Sequence, residues 1–464
     1  MTLRVSRAGH AIQRHNATAT AASDNTVHVR LRRLRPGTRY RYRFEANGVR
    51  SATGRFETAP RATRRKRIRF AYSGDADGAF AAGATAPYYN NFEVYARMRA
   101  ERNDFNVNLG DTIYSDSEIL PRLPTALSLA EKWAKYRQNL TYPNLTALRA
   151  SGPLYSEWDD HEFINDFSIP EFGVALYNAG RDAFLSYGPV SYSRRYGLYR
   201  KFRWGRNVEV FFLDERSFRS AKASAGGVCN NPFGPIAADL APTLPQRLRT
   251  AFGFAIPPLK NPVPRACLDR INDPTRTFLG HAQLRRFERD IRRSHATFKV
   301  VMNEVPIQQY YALPYDAWEG YAAERMKLLR FLKKRVRNVV FLTTDTHANM
   351  VNEVRLQTLE PGGRKDTGIL EAVTGPVATK TFAREIDEAT GTPGSGNAVA
   401  RLFFKPPPPA GVGMRCVALD VYSYAEVEVT SRRLTIAPKD LSGRLVREQN
   451  GNPCGPFTVR AKRR

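Results

Sequence analysis

The sequence predicts an α/β protein, and two observations carry that prediction. From about residue 67 onward, short apolar runs alternate with helical patterns, as expected of a largely central, buried sheet with helices around it. Five of the six apolar runs are followed at once by carboxylates, at the strand ends where open α/β sheets bind their ligands.

Strands are expected at 68–73, 104–109, 153–158, 207–213, 298–304 and 338–343. Helices are expected at 92–102, 127–140, 175–186, 281–293 and 321–336. The part before this region reads as β structure. "TVHVRLRRL" alternates, "PGT" turns, and Asn47-Gly48 gives a hairpin signal between two short strands. Residues 1–60 therefore read as the end of a β-sandwich domain whose first strands are absent. The stretch "RATRRKRIRF" starts as a solvated basic linker and runs into a new strand. A nuclear-localisation or nucleic-acid patch is the alternative for it. The region 222–276, rich in Pro, Asn and Gly, reads as a long surface insertion, and "KPPPPAG" as a rigid connector. "YAEVEVTSRRLTIAP" near the end reads as a hairpin, and no internal repeat is visible.

Bulk properties narrow the classes. A chain of 464 residues with 42% hydrophobic residues can bury a globular core, so disorder is excluded. No apolar run approaches the roughly 20 residues of a membrane span, and the first 20 residues lack the apolar core of an export signal. The net charge of +28 favours anionic partners such as phosphate esters, nucleic acid or anionic polymers. Arginine is spread along the whole chain, so a generally basic composition accounts for the charge equally well. Cys229, Cys267, Cys416 and Cys454 form no zinc pattern. Two disulfides in an exported protein fit them, with four free thiols as the alternative.

The strand ends carry the chemistry. In chain order they read "SGDADG" with Asp75 and Asp77, "GDTIYSD" with Asp111 and Tyr114, and "DDHEFIND" with Asp159, Asp160, His161 and Glu162. Next come "DERSFR" with Asp214, Arg216 and Arg219, and "TDTHAN" with Asp345 and His347. Each alone is an ordinary turn or helix cap. Together, clustered carboxylates would repel one another in a partly buried crevice, and cations relieve that repulsion. The oxygen-rich donor set, with no thiolate, favours hard cations such as Ca, Mn or ferric iron over a structural zinc. Two metals could clamp the attacking and leaving oxygens of a phosphoryl displacement, with Asp111 the best-placed bridge and His161 the acid or oxyanion stabiliser.

Other residues read more plainly. Trp158 belongs to the core, Asp159 and Glu162 lie behind the site or in solvent, and Asp77 caps a turn. Asp214, Arg216 and Arg219 form an ion-pair set under the site, with direct phosphate binding by Arg216 as the alternative. His10, His15, His28, His281 and His295 are surface or packing residues, and Asp116 is an exposed loop residue.

The ordered set "LGDTIY", "WDDHE" followed by "ND", "FLDERSFR", "FLGHAQLRRFERDI" and "LTTDTH" resembles the PhoD-type alkaline phosphatase/phosphodiesterase family of metallophosphoesterases, over nearly the whole chain. The Gln-containing "LGHAQ" element reads as a connector. The resemblance implies a four-layer α/β/β/α core over 67–464 and the C-terminal part of a fibronectin-like N-terminal domain over 1–60. It also implies hydrolysis of phosphate mono- and diesters at a centre of Fe(3+) and Ca(2+). The divalent ions Mn, Zn and Mg are further candidates.

By the same resemblance, Asp111 is a bridging ligand, Tyr114 an iron ligand, and Asp345 and His347 further ligands. Asp160 takes the metal-binding place that Asn holds in the wider superfamily, and His161 is the catalytic His. Many family members present a cysteine in the first motif; here Asp75 stands at that place. The family also implies a secreted, periplasmic or cell-surface location, although no signal peptide is visible. Cleavage of anionic polymers or phospholipids is the nearest alternative activity. A catalytically silent polyanion-binding surface protein is the alternative of another class. A nucleic-acid module is disfavoured, because no recognition motif appears.

Overall fold

The computed structural model describes residues 1–231 and 237–462. It is a mixed α/β fold with three sheets.

Residues 2–57 form a five-stranded antiparallel sheet of β1 (Thr2–Arg7), β2 (His10–Asn16), β3 (Arg39–Ala46), β4 (Val49–Arg50) and β5 (Gly54–Glu57). The hairpin around Asn47-Gly48 joins β3 to β4, with Asn47 and Gly48 both at positive φ. One expectation is corrected here. The alternating stretch "TVHVRLRRL" joins no ladder, and Thr2–Asn16 supplies the strands instead. Val29, Leu31 and Leu34 pack on Leu3, Val5 and Tyr40, so their alternation reflects burial of an extended segment without strand pairing. The sheet is tied to the rest of the chain. Asp24 accepts from Arg137 and Tyr187, and Lys66 bridges Glu57 at 2.9 Å and Asp104 at 2.6 Å.

The remainder builds two large sheets. β6 (Ile68–Ser73), β7 (Phe105–Leu109) and β8 (Leu154–Glu157) run parallel. β16 (Ser423–Val429), β17 (Arg433–Asp440) and β18 (Phe457–Arg460) extend them antiparallel to six strands. The second sheet has seven strands. Its parallel centre is β10 (Val208–Phe212), β11 (Phe298–Asn303), β12 (Val339–Thr343) and β14 (Lys365–Val373), flanked by β9 (Arg200–Trp204), β13 (Asn349–Gln357) and β15 (Cys416–Ala418).

Side chains that alternate along each strand decide the packing. Phe70, Tyr72, Val107 and Leu109 of one sheet and Val210, Phe212, Val300, Met302, Val340 and Leu342 of the other share one apolar core. The intervening residues face helices. Phe211, Val301 and Phe341 pack on Leu284 and Phe287 of helix His281–Arg293 and on Leu328 and Leu332 of helix Ala322–Arg335. On the other outer side, Ala71 packs with Val94, Tyr95 and Met98 of helix Glu93–Ala100 and Leu145 of helix Pro143–Ser151. At about 1.5–3 kcal/mol per fully buried large apolar side chain, the shared inter-sheet core is a main source of stability.

The five expected helices and six expected strands all form, within a few residues at each end. The insertion 222–276 is more ordered than its composition suggests, and residues 232–236 of it lie outside the described residues. It carries helices Gln246–Phe252 and Arg265–Ile271, and Arg249 is buried against Asp239 in a two-pronged ion pair at 2.8 Å. The four cysteines pair as Cys229–Cys267 and Cys416–Cys454, with Cα atoms 4.7 and 5.4 Å apart. Among the described residues no helix is long and apolar enough to cross a membrane.

Candidate metal centre

The loops after β6, β7, β8, β10 and β12 converge at one end of both sheets, because these strands are parallel within each sheet. The turns after β6, β7 and β12 are sharp. Asp75, Asp111, Asp345 and His347 all sit at positive φ, 63°, 48°, 66° and 51°. Asp and His tolerate this region better than most residues, and such conformations concentrate at functional sites. Gly110, at φ 85°, lets β7 turn toward the centre. A Cβ there would lie 2.7 Å from the Cβ of Asp159.

The sequence-predicted residues come together. Ligand-capable atoms of Asp75, Asp111 and His347 lie within 4.8 Å of one another, as do those of Asp111, Asp160 and His161. Asp159, Asp160 and Asp345 form a third such group. Asp111 and Asp160 each belong to two of these three groups, so either is placed to be shared between neighbouring groups. Tyr114 Oη lies 3.3 Å from Asp111 Oδ2 and 3.0 Å from His347 Nε2, and its ring stacks on His161 at 4.0 Å. A cavity of about 230 Å³ opens onto Asp111, Asp160, His161, Asp345 and His347.

The electrostatics are those of a site built for cations. Asp75 Oδ2, Asp159 Oδ2 and Asp160 Oδ1 are buried and have no hydrogen-bond partner among the described residues. Such acceptors are costly without a counter-charge. Burial pushes the Asp75 carboxyl up to about 6 and Asp159 up to about 7, in each case further raised by the neighbouring Asp160. Burial also drives Asp111 and Asp345 well above the ordinary carboxylate range. The donor set of carboxylates, imidazoles and one phenol fits hard cations.

Arg216 is wholly buried beneath this cluster. It pairs with Asp159 and reaches Asp316 at 2.7 Å, Asp345 at 3.4 Å and Asp160 at 3.7 Å. Arg219 joins through Asp316 at 2.6 Å. Asp214 stays outside these ion pairs. It accepts from the Leu198, Arg216 and Ser217 amides and from Trp158 Nε1. Trp158 is in the core, Asp77 accepts from Ala79 N and Ser117 as a turn residue, and Glu162 accepts from Thr112 and Asp159 N.

Three residues escaped the sequence reading. Asp116 is not an exposed loop residue; its Oδ1 lies 2.7 Å from His161 Nδ1, and its Oδ2 accepts from Asn165 N at 2.9 Å. Glu385 lies 2.7 Å from His347 Nδ1, from the first turn of helix Phe382–Thr390. Asp316 holds both buried arginines from a loop. Asp116 carried a usable signal, a second carboxylate five residues after Asp111. Nothing in their local sequence marks Glu385 or Asp316.

An acidic cluster with two histidines at the strand tips of an α/β fold defines a candidate polynuclear metal centre. The chain belongs to the PhoD-like phosphatase family. The model of the PhoD-like phosphatase matches residues 79–407, and that of its N-terminal domain matches residues 3–60. The chain is 25% identical over 375 residues to alkaline phosphatase D of Bacillus subtilis (strain 168), covering 72% of this chain. It spans about half the length of that relative, 55%. A solved structure of PhoD superposes with a TM-score of 0.72 at 19% identity, over 100% of this chain and 82% of that one. A purple acid phosphatase from yellow lupin (Lupinus luteus) seeds superposes with a TM-score of 0.56 at 11% identity, over 99% and 69%. These two likenesses describe the fold.

Proposed function

We propose that the chain hydrolyses phosphate mono- and diesters at a multinuclear metal centre held by Asp75, Asp111, Tyr114, Asp160, Asp345 and His347. The observation that carries this reading is that Asp75 and Asp160, each grouped with Asp111, have a buried carboxylate oxygen with no hydrogen-bond partner among the described residues. Membership of the PhoD-like phosphatase family supports it. Two sheets sharing a core, with helices over their outer faces, support reading residues 67–464 as a four-layer α/β/β/α catalytic domain. Residues 1–60 are then the C-terminal part of a fibronectin-like domain.

When bound, the cations would supply charge neutralisation and an activated water. The hard-oxygen donors and the phenol of Tyr114 support ferric iron with calcium. The protein's own groups do the rest. Asp116 is held below the usual carboxylate range, because the charge and hydrogen bond of His161 outweigh its burial. Nδ1 of His161 therefore carries a proton and donates to Asp116, which leaves Nε2 as the nitrogen free to act. From Nε2, His161 passes a proton to the ester oxygen as its bond to phosphorus breaks. Glu385 fixes the ring of His347 through Nδ1 in the same way. Arg216 balances the carboxylates that carry no metal and positions Asp159, Asp160 and Asp345. Its four carboxylate partners support that role ahead of direct substrate contact.

A second reading, cleavage of diester bonds in anionic polymers, is favoured by the net charge of +28. Export to an oxidising compartment is supported by the two disulfides. The test is hydrolysis of p-nitrophenyl phosphate and its bis ester. Chelation, or Asp111→Asn, is expected to lower both rates about 100-fold or more. Full activity in the metal-stripped protein overturns the mechanism.

A further inference from the structure

Helix Leu129–Asn139 turns a polar face toward the metal centre. A helix laid on a core normally buries an apolar stripe at spacings of three and four residues. This one buries Lys132, Tyr136 and Asn139 at that spacing. Each reaches a loop that carries residues of the centre. Lys132 Nζ donates to Ser115 Oγ at 2.8 Å, between Tyr114 and Asp116, and to Phe163 O at 2.7 Å, two residues after His161. Tyr136 Oη lies 3.0 Å from Thr112 Oγ1, next to Asp111.

Asn139 joins two ligand turns at once. Its side-chain nitrogen donates to Ala76 O at 3.1 Å and to Thr112 O at 2.9 Å. Ala76 follows Asp75 and Thr112 follows Asp111, so one amide group spans the turns after β6 and β7. Both acceptors are carbonyl oxygens, which only the nitrogen end of the amide can serve, so chemistry fixes the orientation of the side chain. Neither carbonyl accepts from another donor among the described residues. Ala76 N also donates to Asp111 O at 2.9 Å, and Asn139 adds a second link across the same pair of turns.

Helix termination does not account for this residue. The Asn139 side chain bonds no group of its own helix, so it is not a cap. The helix that presents it is itself held at both ends. Ser128 and Glu131 form a capping box at its start, and Arg137 near its end pairs with Asp24.

We propose that Asn139 is a positioning residue of the metal centre, setting the gap between Asp75 and Asp111 through Ala76 O and Thr112 O. The inference rests on the reading of those two aspartates as metal ligands. Groups that orient ligand side chains are typically worth about 10–100-fold in metal affinity or activity.

The test strips the full chain of metal, reloads it with Mn(II), and follows melting temperature and hydrolysis of bis(p-nitrophenyl) phosphate. Asn139→Leu keeps the size of the side chain and removes its donors. It is expected to weaken Mn(II) binding and lower kcat, each about 10–100-fold, with KM little changed. The rise in melting temperature that Mn(II) gives should shrink accordingly. Should the leucine variant fail to fold, Asn139→Ala removes the same donors without adding an apolar branch, and a loss of about tenfold or more is expected. Trp133→Phe drops a 3.2 Å bond from the same helix to Ser186 Oγ and touches no ligand turn. It is expected to lower the melting temperature equally with and without Mn(II) and to keep the parent kcat. A parent-like Mn(II) response and kcat in the Asn139 variants overturn the proposal. An equal loss of melting temperature in stripped and loaded protein, with kcat unchanged, also overturns it and leaves Asn139 a packing residue. A parent that gains no stability from Mn(II) and hydrolyses the ester without metal overturns the metal-centre reading itself, and this proposal with it.

Discussion

His161 Nδ1 and Asp116 Oδ1 lie 2.7 Å apart, an ion-pair geometry that ties the loop after β8 to the loop after β7. Burial alone would depress the His161 imidazolium. Asp116 is the strongest of the carboxylates that outweigh it, with Asp160 and Asp111 next, and together they hold its pKa well above the ordinary value. Asp116→Asn is expected to lower kcat about 10–100-fold with little change in KM. The alkaline limb of the kcat profile should also move to lower pH, because the acid form loses its counter-charge. An unchanged kcat and profile would remove Asp116 from the reaction.

Tyr114 Oη sits between Asp111 and His347. If its phenolate meets ferric iron, the loaded protein absorbs visible light by charge transfer, and Tyr114→Phe is colourless. A coloured Phe variant, or a colourless active parent, separates Tyr114 from the iron reading.

Gly110→Ala is expected to destabilise the protein by about 1–3 kcal/mol, through its left-handed backbone and the clash with Asp159. Activity should fall further than stability, since the same turn carries Asp111. Thermal melting and hydrolysis measured together check this.

The metal-free protein should weaken as pH rises. Burial lifts Asp75 and Asp77 to about 6 and Asp159 to about 7 in the folded state, above their unfolded values. For His347, burial lowers the pKa, but Glu385 outweighs it and the pKa reaches about 9. The folded state therefore binds more protons than the unfolded one. The stability these groups give is whole below about pH 4 for the carboxylates and below about 6.5 for His347. It is lost as pH climbs through 6–7 and then 9. A fall of roughly 5 °C or more in melting temperature from pH 5 to pH 9 is expected without metal, and a smaller one with metal restored. A rising melting temperature in the stripped protein would contradict the sign.

Much of the centre was legible because its residues follow strands. Phe70, Val107 and Val340 announce buried strands, and Asp75, Asp111 and Asp345 stand just beyond their tips. Asp316 and Glu385 were not legible, since one lies on an irregular loop and the other in an ordinary helix turn, and only tertiary folding brings them in. Strand pairing was read less well where burial and pairing part company. Val29, Leu31 and Leu34 alternate without a ladder. β13 and β14 pair while carrying polar residues such as Asn352 and Glu371 within them. The buried Glu371 accepts from the amides of Ile307 and Gln308, a bond across 64 and 63 residues that local pattern cannot foresee.

The left-handed backbone at Asp75, Asp111, Asp345 and His347 bears on how the centre can vary. At these positions the chain selects residue types before any ligand does. Alanine there would combine a conformational penalty with the loss of a donor atom, so an alanine scan overstates the chemical share of each residue. At the three aspartates, asparagine keeps the backbone preference and most of the shape while removing the charge, and glycine removes the side chain without the strain. The difference between these two replacements at one position isolates what the side chain contributes to binding from what it contributes to the turn.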